Sequence, residues 1–292
     1  MYSWQLLQGL AQFGDDVVRI LQPDGQSQLP EGDQFIECYE DAHQKLMEYL
    51  KQETMRFADD IDNNEIGKIR SGLKSFYGEL PPKEAALFNS LFRSDIGSDS
   101  IIRFISFNYT SILDKCIARV AEEPLNSWTA PNNYRRSFRV DPNIIHVHGL
   151  LNRYPVFGVN DESQIANKEL LTIPDFAQLM IKPKCINSLG ELWHSESEKV
   201  IQNSNIICVF GMSMGITDTK WFQRIMNWLK ASDDRHLIIF WHTDNPSNGF
   251  SPWTVFKNKR EARNRITDFS DLTSMAIEAI SSRIHVIENT ET

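Results

Sequence analysis

The amino-acid sequence predicts an α/β protein in which parallel strands and helices alternate to form three layers. Two observations support this fold class. From residue 101 onward, short apolar runs of strand length are followed by segments with helical periodicity. Three of these runs lead into short motifs that begin at Asn108, His146 and Gly211. Parallel sheets bind ligands where their strands end, so the same motifs indicate where a ligand site would lie.

The first hundred residues are predicted to be helical and to contain no strand. Apolar residues recur there at intervals of three or four, which is the period of an amphipathic helix. The pattern predicts helices at Trp4 to Leu21, Pro30 to Phe57, Ile66 to Tyr77 and the segment after Pro82. We therefore expect a helical region over residues 1–98 that packs on a core domain over residues 99–292.

The core domain is predicted to contain a series of parallel strands joined by right-handed helical crossovers. The strands are expected at Ile101 to Phe107, Ile144 to Gly149, Ile206 to Phe210, His236 to Trp241 and Arg283 to Ile287, with Val156 to Val159 as a candidate for one more. Helices are expected around Ile112 to Val120, Pro174 to Met180, Ile186 to Gln202, Asp218 to Leu229 and Asp268 to Ser281. The polar stretch from Asn126 to Asp141 is expected to be a surface loop.

The charge balance limits the classes of partner. The chain carries 30 Lys and Arg against 39 Asp and Glu, a formal net charge of −9, and has no basic stripe. Affinity for nucleic acids comes mostly from phosphate neutralisation, so this balance argues against a nucleic-acid partner. The charge balance does not exclude a small anionic ligand that backbone N–H groups bind locally.

Cysteine usage and apolar runs indicate the compartment. The four cysteines are scattered and form no Cys-x-x-Cys pair, so neither a zinc site of the usual spacing nor a disulfide framework is indicated. We expect no bound metal. The amino terminus lacks the features of a signal peptide, and no apolar run reaches the roughly 18 residues of a membrane span. The expected location is the cytoplasm, with no membrane contact.

Two histidines near the end of the second predicted strand are candidates for chemistry. Residues two apart in a strand share a face, so His146 and His148 should point the same way. His148 is expected at the carboxyl end, where Gly149 allows a sharp turn and a neutral imidazole could accept a proton near physiological pH. The alternative is that both histidines cover the sheet or bind a backbone carbonyl. A metal pair would need a third ligand, which is not evident.

The other two motifs carry a carboxamide and a glycine loop. Asn108 follows the first strand, and its amide can both donate to and accept from a ligand, although Asn is also favoured as a helix cap. The segment from Gly211 to Gly215 joins a strand to a helix and could turn backbone N–H groups toward an anion. It matches neither the Walker loop nor the dinucleotide-binding pattern. Asp218 would cap the next helix or contact a ribose hydroxyl.

Taken in order, Asn108-Tyr109-Thr110, His148-Gly149 and Gly211-Met212-Ser213 resemble the motif pattern of the AbiH-type phage abortive infection proteins. The resemblance covers roughly residues 101 to 228. Those proteins are themselves similar to the sirtuin-like NAD-binding fold used in bacterial defence. The resemblance therefore implies an antiphage protein with a Rossmann-like, sirtuin-like parallel sheet that binds NAD.

The resemblance also implies an activity and a set of site residues. The reaction would be cleavage of NAD at the nicotinamide–ribose bond, with His148 as the base and Asn108 in contact with the nicotinamide ribose. Further cofactor contacts would come from Tyr109, Thr110, Gly149, Gly211, Ser213, Gly215 and Asp218. Sirtuin deacylation is disfavoured, because a cysteine-rich zinc module is missing and Thr110 replaces an aspartate of the deacylases.

One departure from the family pattern favours a second hypothesis. Members usually open with a strand and a Gly-Asn-Gly-Phe-Asp loop, a motif that does not occur in this chain. We therefore expect the sheet to lack its first strand and the nucleotide site to lack one wall. The alternative function is a non-catalytic nucleotide-sensing or protein-interaction module. Such a module would use its helical face to bind a phage protein as a trigger or to form a homo-oligomer.

Overall fold

The computed structural model describes residues 32–58, 61–94, 100–129, 134–212, 214–215, 218–244 and 251–288. The helix predicted from Trp4 to Leu21 lies outside these ranges. The chain divides into two compact units, one comprising Met1–Asp59 with His148–Glu191 and the other Asp60–Val147 with Leu192–Thr292. Within the described ranges, no helix is long and apolar enough to cross a membrane. The predicted boundary near residue 98 stays a prediction.

The first unit is helical around a small apolar cluster. Its described elements are helix α1 (Gly32–Ala58), two short 3-10 helices (Glu162–Gln164 and Lys168–Thr172) and helices α5 (Phe176–Met180) and α6 (Lys182–Ser188), numbered in chain order over the whole protein. Ile165, Phe176 and Ile181 are buried in its core, with Ile36 and Tyr39 of α1 packed against them. The candidate strand at Val156 to Val159 is reduced to one parallel bridge between Val159 and Ile181.

The second unit holds the strands and the remaining described helices. Helices α2 (Asn63–Lys74) and α3 (Pro82–Ser94) precede strand β1 (Ser100–Ser106), and α4 (Ile112–Ala121), β2 (Leu125–Thr129) and β3 (Tyr134–His146) follow it. After the first unit's segment come α7 (Trp193–Gln202), β4 (Ile206–Val209), α8 (Thr219–Lys230), β5 (His236–Trp241), α9 (Pro252–Thr267), α10 (Ser274–Ser281) and β6 (Ile284–Glu288).

The described strands form two sheets of three. In the first, β3 lies between β1, to which it is parallel, and β2, to which it is antiparallel. In the second, β5 lies between β4 and β6, and all three strands are parallel. The fold is therefore mixed α/β with short parallel sheets, in agreement with the predicted class at that level.

Helix α8 provides much of the core beside the second sheet. Its apolar residues recur on one face, and Trp221, Phe222, Met226, Trp228 and Leu229 are all buried. They belong to a cluster that also contains strand residues of the second sheet, and Ile105 of β1 packs against it. Burying each large apolar side chain contributes roughly 1.5–3 kcal/mol, so this face holds α8 against the strands.

The prediction of a surface loop from Asn126 to Asp141 is wrong. Much of this stretch pairs as the antiparallel strands β2 and β3. Phe138 and Val140 alternate with polar residues and are buried, which is the period of a half-buried strand. Pro142 lies where the register between β1 and β3 shifts, a place where a strand tolerates a residue without an N–H group.

Two helix predictions are also wrong in their boundaries. The single helix expected from Ile186 to Gln202 is interrupted between α6 and α7, where Gly190 adopts a φ of 70° that favours glycine. The helix expected from Asp268 starts only at Ser274, after the Thr273 hydroxyl caps the Ala276 N–H. Helix α9 was not predicted, because charged residues obscure its apolar period.

Candidate functional site

Strand β3 ends at His146, three residues before the predicted end at Gly149. The N–H of Val147 donates to the carbonyl of Ser106 at 3.0 Å, so the carboxyl ends of β1 and β3 lie side by side. His148 follows in a turn rather than in the strand. His146 is therefore the histidine at the strand end.

The two ring nitrogens of His146 connect the segment after β1 to helix α4. Its Nδ1 lies 2.9 Å from the carbonyl oxygen of Asn108, and its Nε2 lies 3.0 Å from Oδ2 of Asp114 in the first turn of α4. A carbonyl oxygen can only accept, so Nδ1 carries a hydrogen; an imidazolium would also donate to the Asp114 carboxylate. The predicted alternative, that a histidine binds a backbone carbonyl, is confirmed for this residue.

Asn108 presents its side chain outward at the end of β1. The residue is exposed, and its side-chain amide has no hydrogen-bond partner among the described residues. Its N–H donates to the Ser106 hydroxyl at 3.2 Å. Helix α4 begins after Ser111, so Asn108 does not occupy the capping position. The main chain of Asn108 is thus fixed on both sides, and its amide is available to a ligand. Tyr109 and Thr110 follow it and are half-buried.

His148 is buried in the first unit beside a lysine. It is only 3% exposed, and its Nε2 lies 3.3 Å from Nζ of Lys182, which is 6% exposed. An ammonium group only donates, so Nε2 accepts and the neutral ring carries its hydrogen on Nδ1. Asn108 belongs to the second unit and His148 to the first. Within the second unit, the structure brings His146 together with Asn108.

Gly149 has a structural reason to be glycine. Its φ is 78°, and a Cβ atom there would lie 2.8 Å from the carbonyl oxygen of Arg153 and closer still to that of Tyr154. Leu150 and Arg153 exchange two backbone hydrogen bonds of 3.0 and 2.9 Å, which close the turn over Gly149. Any side chain would force this turn apart.

The glycine loop after β4 is open where it begins. Gly211 is exposed with a φ of 66°, and nothing lies within 4 Å of the position that its Cβ would take. Met214 is buried, and its carbonyl accepts from Nε of Arg265 at 3.1 Å. The carbonyl of Gly215 accepts from the N–H of Asp218, whose side chain makes no capping hydrogen bond to α8. Ser213 lies outside the described residues.

A second histidine cluster, which the sequence analysis did not identify, lies at the amino ends of β5 and β6. Nδ1 of His285 lies 2.5 Å from Oε2 of Glu84 on α3, and its Nε2 lies 3.2 Å from Nδ1 of His236. Both histidines are buried. Burial, with a smaller effect of His285, lowers the pKa of His236 to about 4, and burial lowers the pKa of His285.

Asp114 and Lys182, the partners of the candidate residues His146 and His148, were not predicted, nor was the contact between Glu84 and His285. Asp114 was detectable as an acid in the first turn of the helix after Asn108, whereas nothing in the sequence connects Lys182 to His148 or Glu84 to His285. Across the part of the chain that the structure describes, no group of three or more His, Cys, Asp or Glu residues could hold a metal ion.

Comparison with known proteins gives one match. A family model described as "Bacteriophage abortive infection AbiH" matches residues 6–240, about four fifths of the chain. No curated protein matches, and no solved structure matches.

Proposed function

Because this chain belongs to the AbiH family of bacteriophage abortive infection proteins, we propose that it acts in phage abortive infection by binding NAD and cleaving the nicotinamide–ribose bond. The observation that supports this most is Asn108, whose amide is exposed at the carboxyl end of a parallel strand while its main chain is held by His146 and Ser106. Ligands of parallel sheets bind at such ends. A sirtuin-like arrangement of the sheet belongs to the same proposal.

The proposed reaction is hydrolysis of an N-glycosidic bond. Water attacks the anomeric carbon of the nicotinamide ribose, the carbon–nitrogen bond breaks, and the bonding electrons leave with nicotinamide, which departs as a neutral molecule. ADP-ribose and one proton are the other products. The transition state resembles an oxocarbenium ion, and a carboxamide at its edge can orient the ribose hydroxyls through hydrogen bonds.

His148 is proposed to take the proton from the attacking water. Its ring is neutral with Nε2 as the acceptor, which is the form that a general base requires. That same nitrogen accepts a hydrogen bond from Lys182 at 3.3 Å. The base role therefore requires the lysine ammonium to release Nε2 when substrate binds.

Release of nicotinamide from NAD by the purified chain tests the proposal. We expect turnover by the wild type and a fall of about 10²-fold or more in His148→Ala, the range of general-base contributions. Asn108→Ala should fall as well. His242→Ala is the matched control, since His242 is exposed and follows β5. Absence of nicotinamide release by the wild type, or equal rates in His148→Ala and His242→Ala, would contradict the catalytic proposal.

One observation favours a second function, that of a non-catalytic module that senses a nucleotide or binds a protein. His148 is nearly inaccessible, and its Nε2 is already occupied by Lys182. The module is proposed to bind NAD, or a phage protein that serves as trigger, without turnover and to form a homo-oligomer. Calorimetry that detects NAD binding without nicotinamide release, together with an oligomer in light scattering, would support it. A monomer that hydrolyses NAD would contradict it.

A further inference from the structure

Helix α9 has a composition unlike the rest of the chain. Between Pro252 and Thr267 it carries five basic residues and one acidic residue, in a protein with a formal net charge of −9. The sequence expectation against a nucleic-acid partner came from the overall balance. Local concentration of cations on one element can create a positive surface that a net charge conceals.

One face of α9 packs against the rest of the second unit. Asn258, Ala262 and Ile266 recur every four residues and are buried. Arg263 donates to the carbonyl of Ile284 at 3.1 Å, and Arg265 donates to the carbonyl of Met214 at 3.1 Å. These interactions fix the rotation of the helix, so the residues on its opposite face point to solvent in a defined way.

The opposite face combines aromatic rings with cations. Trp253 is 63% exposed and Phe256 is 65% exposed. Lys257, whose Nζ lies 3.8 Å from Oε1 of Glu261, and Arg260 are exposed too. The intervals of three and four residues place the four side chains on one surface. The Arg260 guanidinium lies 5.6 Å from the centre of the Trp253 ring, so charge and ring are adjacent. We call Trp253, Phe256, Lys257 and Arg260 the α9 face.

We propose that the α9 face binds single-stranded nucleic acid. Trp253 and Phe256 offer flat apolar surfaces on which bases can stack, and Lys257 and Arg260 offer positive charge to the phosphates that connect those bases. Stacking on aromatic residues tolerates any base, so this interaction would be largely independent of sequence. The site is separate from the NAD site proposed at the end of β1, because it uses none of its residues.

The chemistry of the α9 face fits a nucleic acid better than other anionic partners. An acidic peptide would pair with the cations, but its backbone repeat carries no ring to cover the two aromatic side chains, whereas every nucleotide carries both a base and a phosphate. A membrane surface would require a wide apolar stripe, whereas α9 buries Ala262 and Ile266 and exposes two aromatic residues among charged ones. An unpaired polynucleotide supplies a flat ring and a negative charge in every repeating unit, so we favour it as the partner.

Fluorescence anisotropy with the whole chain and a labelled oligothymidylate tests the proposal; a length of about 16 nucleotides covers the site size of a single binding domain. Trp253→Ala/Phe256→Ala should weaken binding about fivefold or more. Lys257→Ala/Arg260→Ala should weaken binding and reduce the dependence of log K on log salt by about 0.7 for each phosphate that is no longer neutralised. All four side chains are exposed, and unchanged circular dichroism will confirm that the variants fold.

Matched controls use exposed residues elsewhere. Phe210, 76% exposed at the end of β4, controls for loss of an aromatic side chain, and Lys51 and Arg56 on α1 control for loss of two cations. Phe210→Ala and Lys51→Ala/Arg56→Ala should bind as the wild type does. No binding by the wild type, equal weakening in the controls, or equal competition by polyglutamate or anionic vesicles at the same charge concentration would overturn the proposal.

Discussion

The two sheets of the second unit differ in how their strands are covered. In the second sheet, β5 and β6 are buried over most of their length. In the first sheet, β1 exposes Ile101 and Arg103 and becomes buried only at Ser106, where it ends. The second sheet is thus buried at β5 and β6 and only partly buried at its edge strand β4. The first sheet leads from the partly exposed edge strand β1 to a group of polar side chains at its carboxyl end.

Histidines sit at opposite ends of these two sheets. His146 lies at the carboxyl end of β3 and connects Asn108 with Asp114. His236 and His285 lie at the amino ends of β5 and β6 and connect to Glu84. Ligands of parallel sheets bind at carboxyl ends, so His146 lies at the end of its sheet where we propose a ligand site, whereas His236 and His285 lie at the other end of theirs.

The largest expected effect tests the contrast in burial with one residue type. Ile239 of β5 is fully buried, and Ile239→Ala should lower the free energy of unfolding by about 2–5 kcal/mol. Ile101 of β1 is 41% exposed, and Ile101→Ala should cost less than about 1 kcal/mol. Urea unfolding of both variants measures the difference. Equal costs would show that β1 is covered as well as β5.

The next effect tests whether His146 holds the segment around Asn108 in place against helix α4. His146→Ala removes the hydrogen bond to the Asn108 carbonyl and the contact with the Asp114 carboxylate, so we expect the free energy of unfolding to fall by about 1–3 kcal/mol. His146→Gln, which keeps a side-chain donor, should lose less. Thermal unfolding measures both. A His146→Ala variant as stable as the wild type would remove His146 from this role.

Because of the histidines of the second sheet, we expect the stability of the protein to fall in acid. The folded pKa of His236 is lowered to about 4 and that of His285 is lowered, so folding favours their neutral forms. Their contribution to stability is therefore complete above the unfolded pKa of about 6.5 and is lost as the pH falls from there toward about 4. For His236 the loss is on the order of 1–3 kcal/mol.

Variants at the two histidines identify the source of that acid sensitivity. Besides burial, His285 and Arg283 lower the pKa of His236, and Asp234 raises it. Burial also dominates at His285, whose pKa Glu84 raises and Arg263 and Lys259 lower. His236→Phe should flatten the pH dependence of urea unfolding between about pH 6.5 and about pH 4. The exposed His242→Ala should leave it unchanged. A flat profile in the wild type would contradict the assignment.

The smallest expected difference is between alanine variants of two glycines that follow strands. Gly149→Ala combines a positive φ with a collision against the carbonyls of Arg153 and Tyr154, so it should cost about 1–3 kcal/mol or more. Gly211→Ala meets only the positive φ, with open space around the Cβ position, and should cost about 1 kcal/mol. Thermal unfolding ranks the two, and the reverse order would show that the loop after β4 is the tighter one.

The fold was predictable wherever hydrophobicity followed one simple period. The apolar run at β5 was assigned over its full length, His236–Trp241, because such runs indicate buried parallel strands. The hairpin of β2 and β3 was missed because its polar residues resemble a loop when read without their alternation. Helix α9 was missed because its charged residues obscure the apolar period and because it exposes Trp253 and Phe256, which disturbs the pattern of an amphipathic helix.

The candidate site was predictable only in part. The position of Asn108 at a strand end followed from the local pattern, but the length of β3 did not. As a result, His148 rather than His146 was assigned to the strand end. Hydrogen bonds such as those of His146 with Asp114 and His148 with Lys182 join residues 32 and 34 positions apart. Only the tertiary packing brings these residues together, and local propensity carries no signal for it.

Hydrogen exchange with and without NAD tests the central claim most directly, because it reports where the nucleotide binds whether or not it is cleaved. We predict slower exchange of amides in the segment that follows β1, around Asn108 and Tyr109, and no change along α1. The same slowing should be absent in Asn108→Ala. Unchanged exchange around Asn108 in the wild type at saturating NAD would contradict the account.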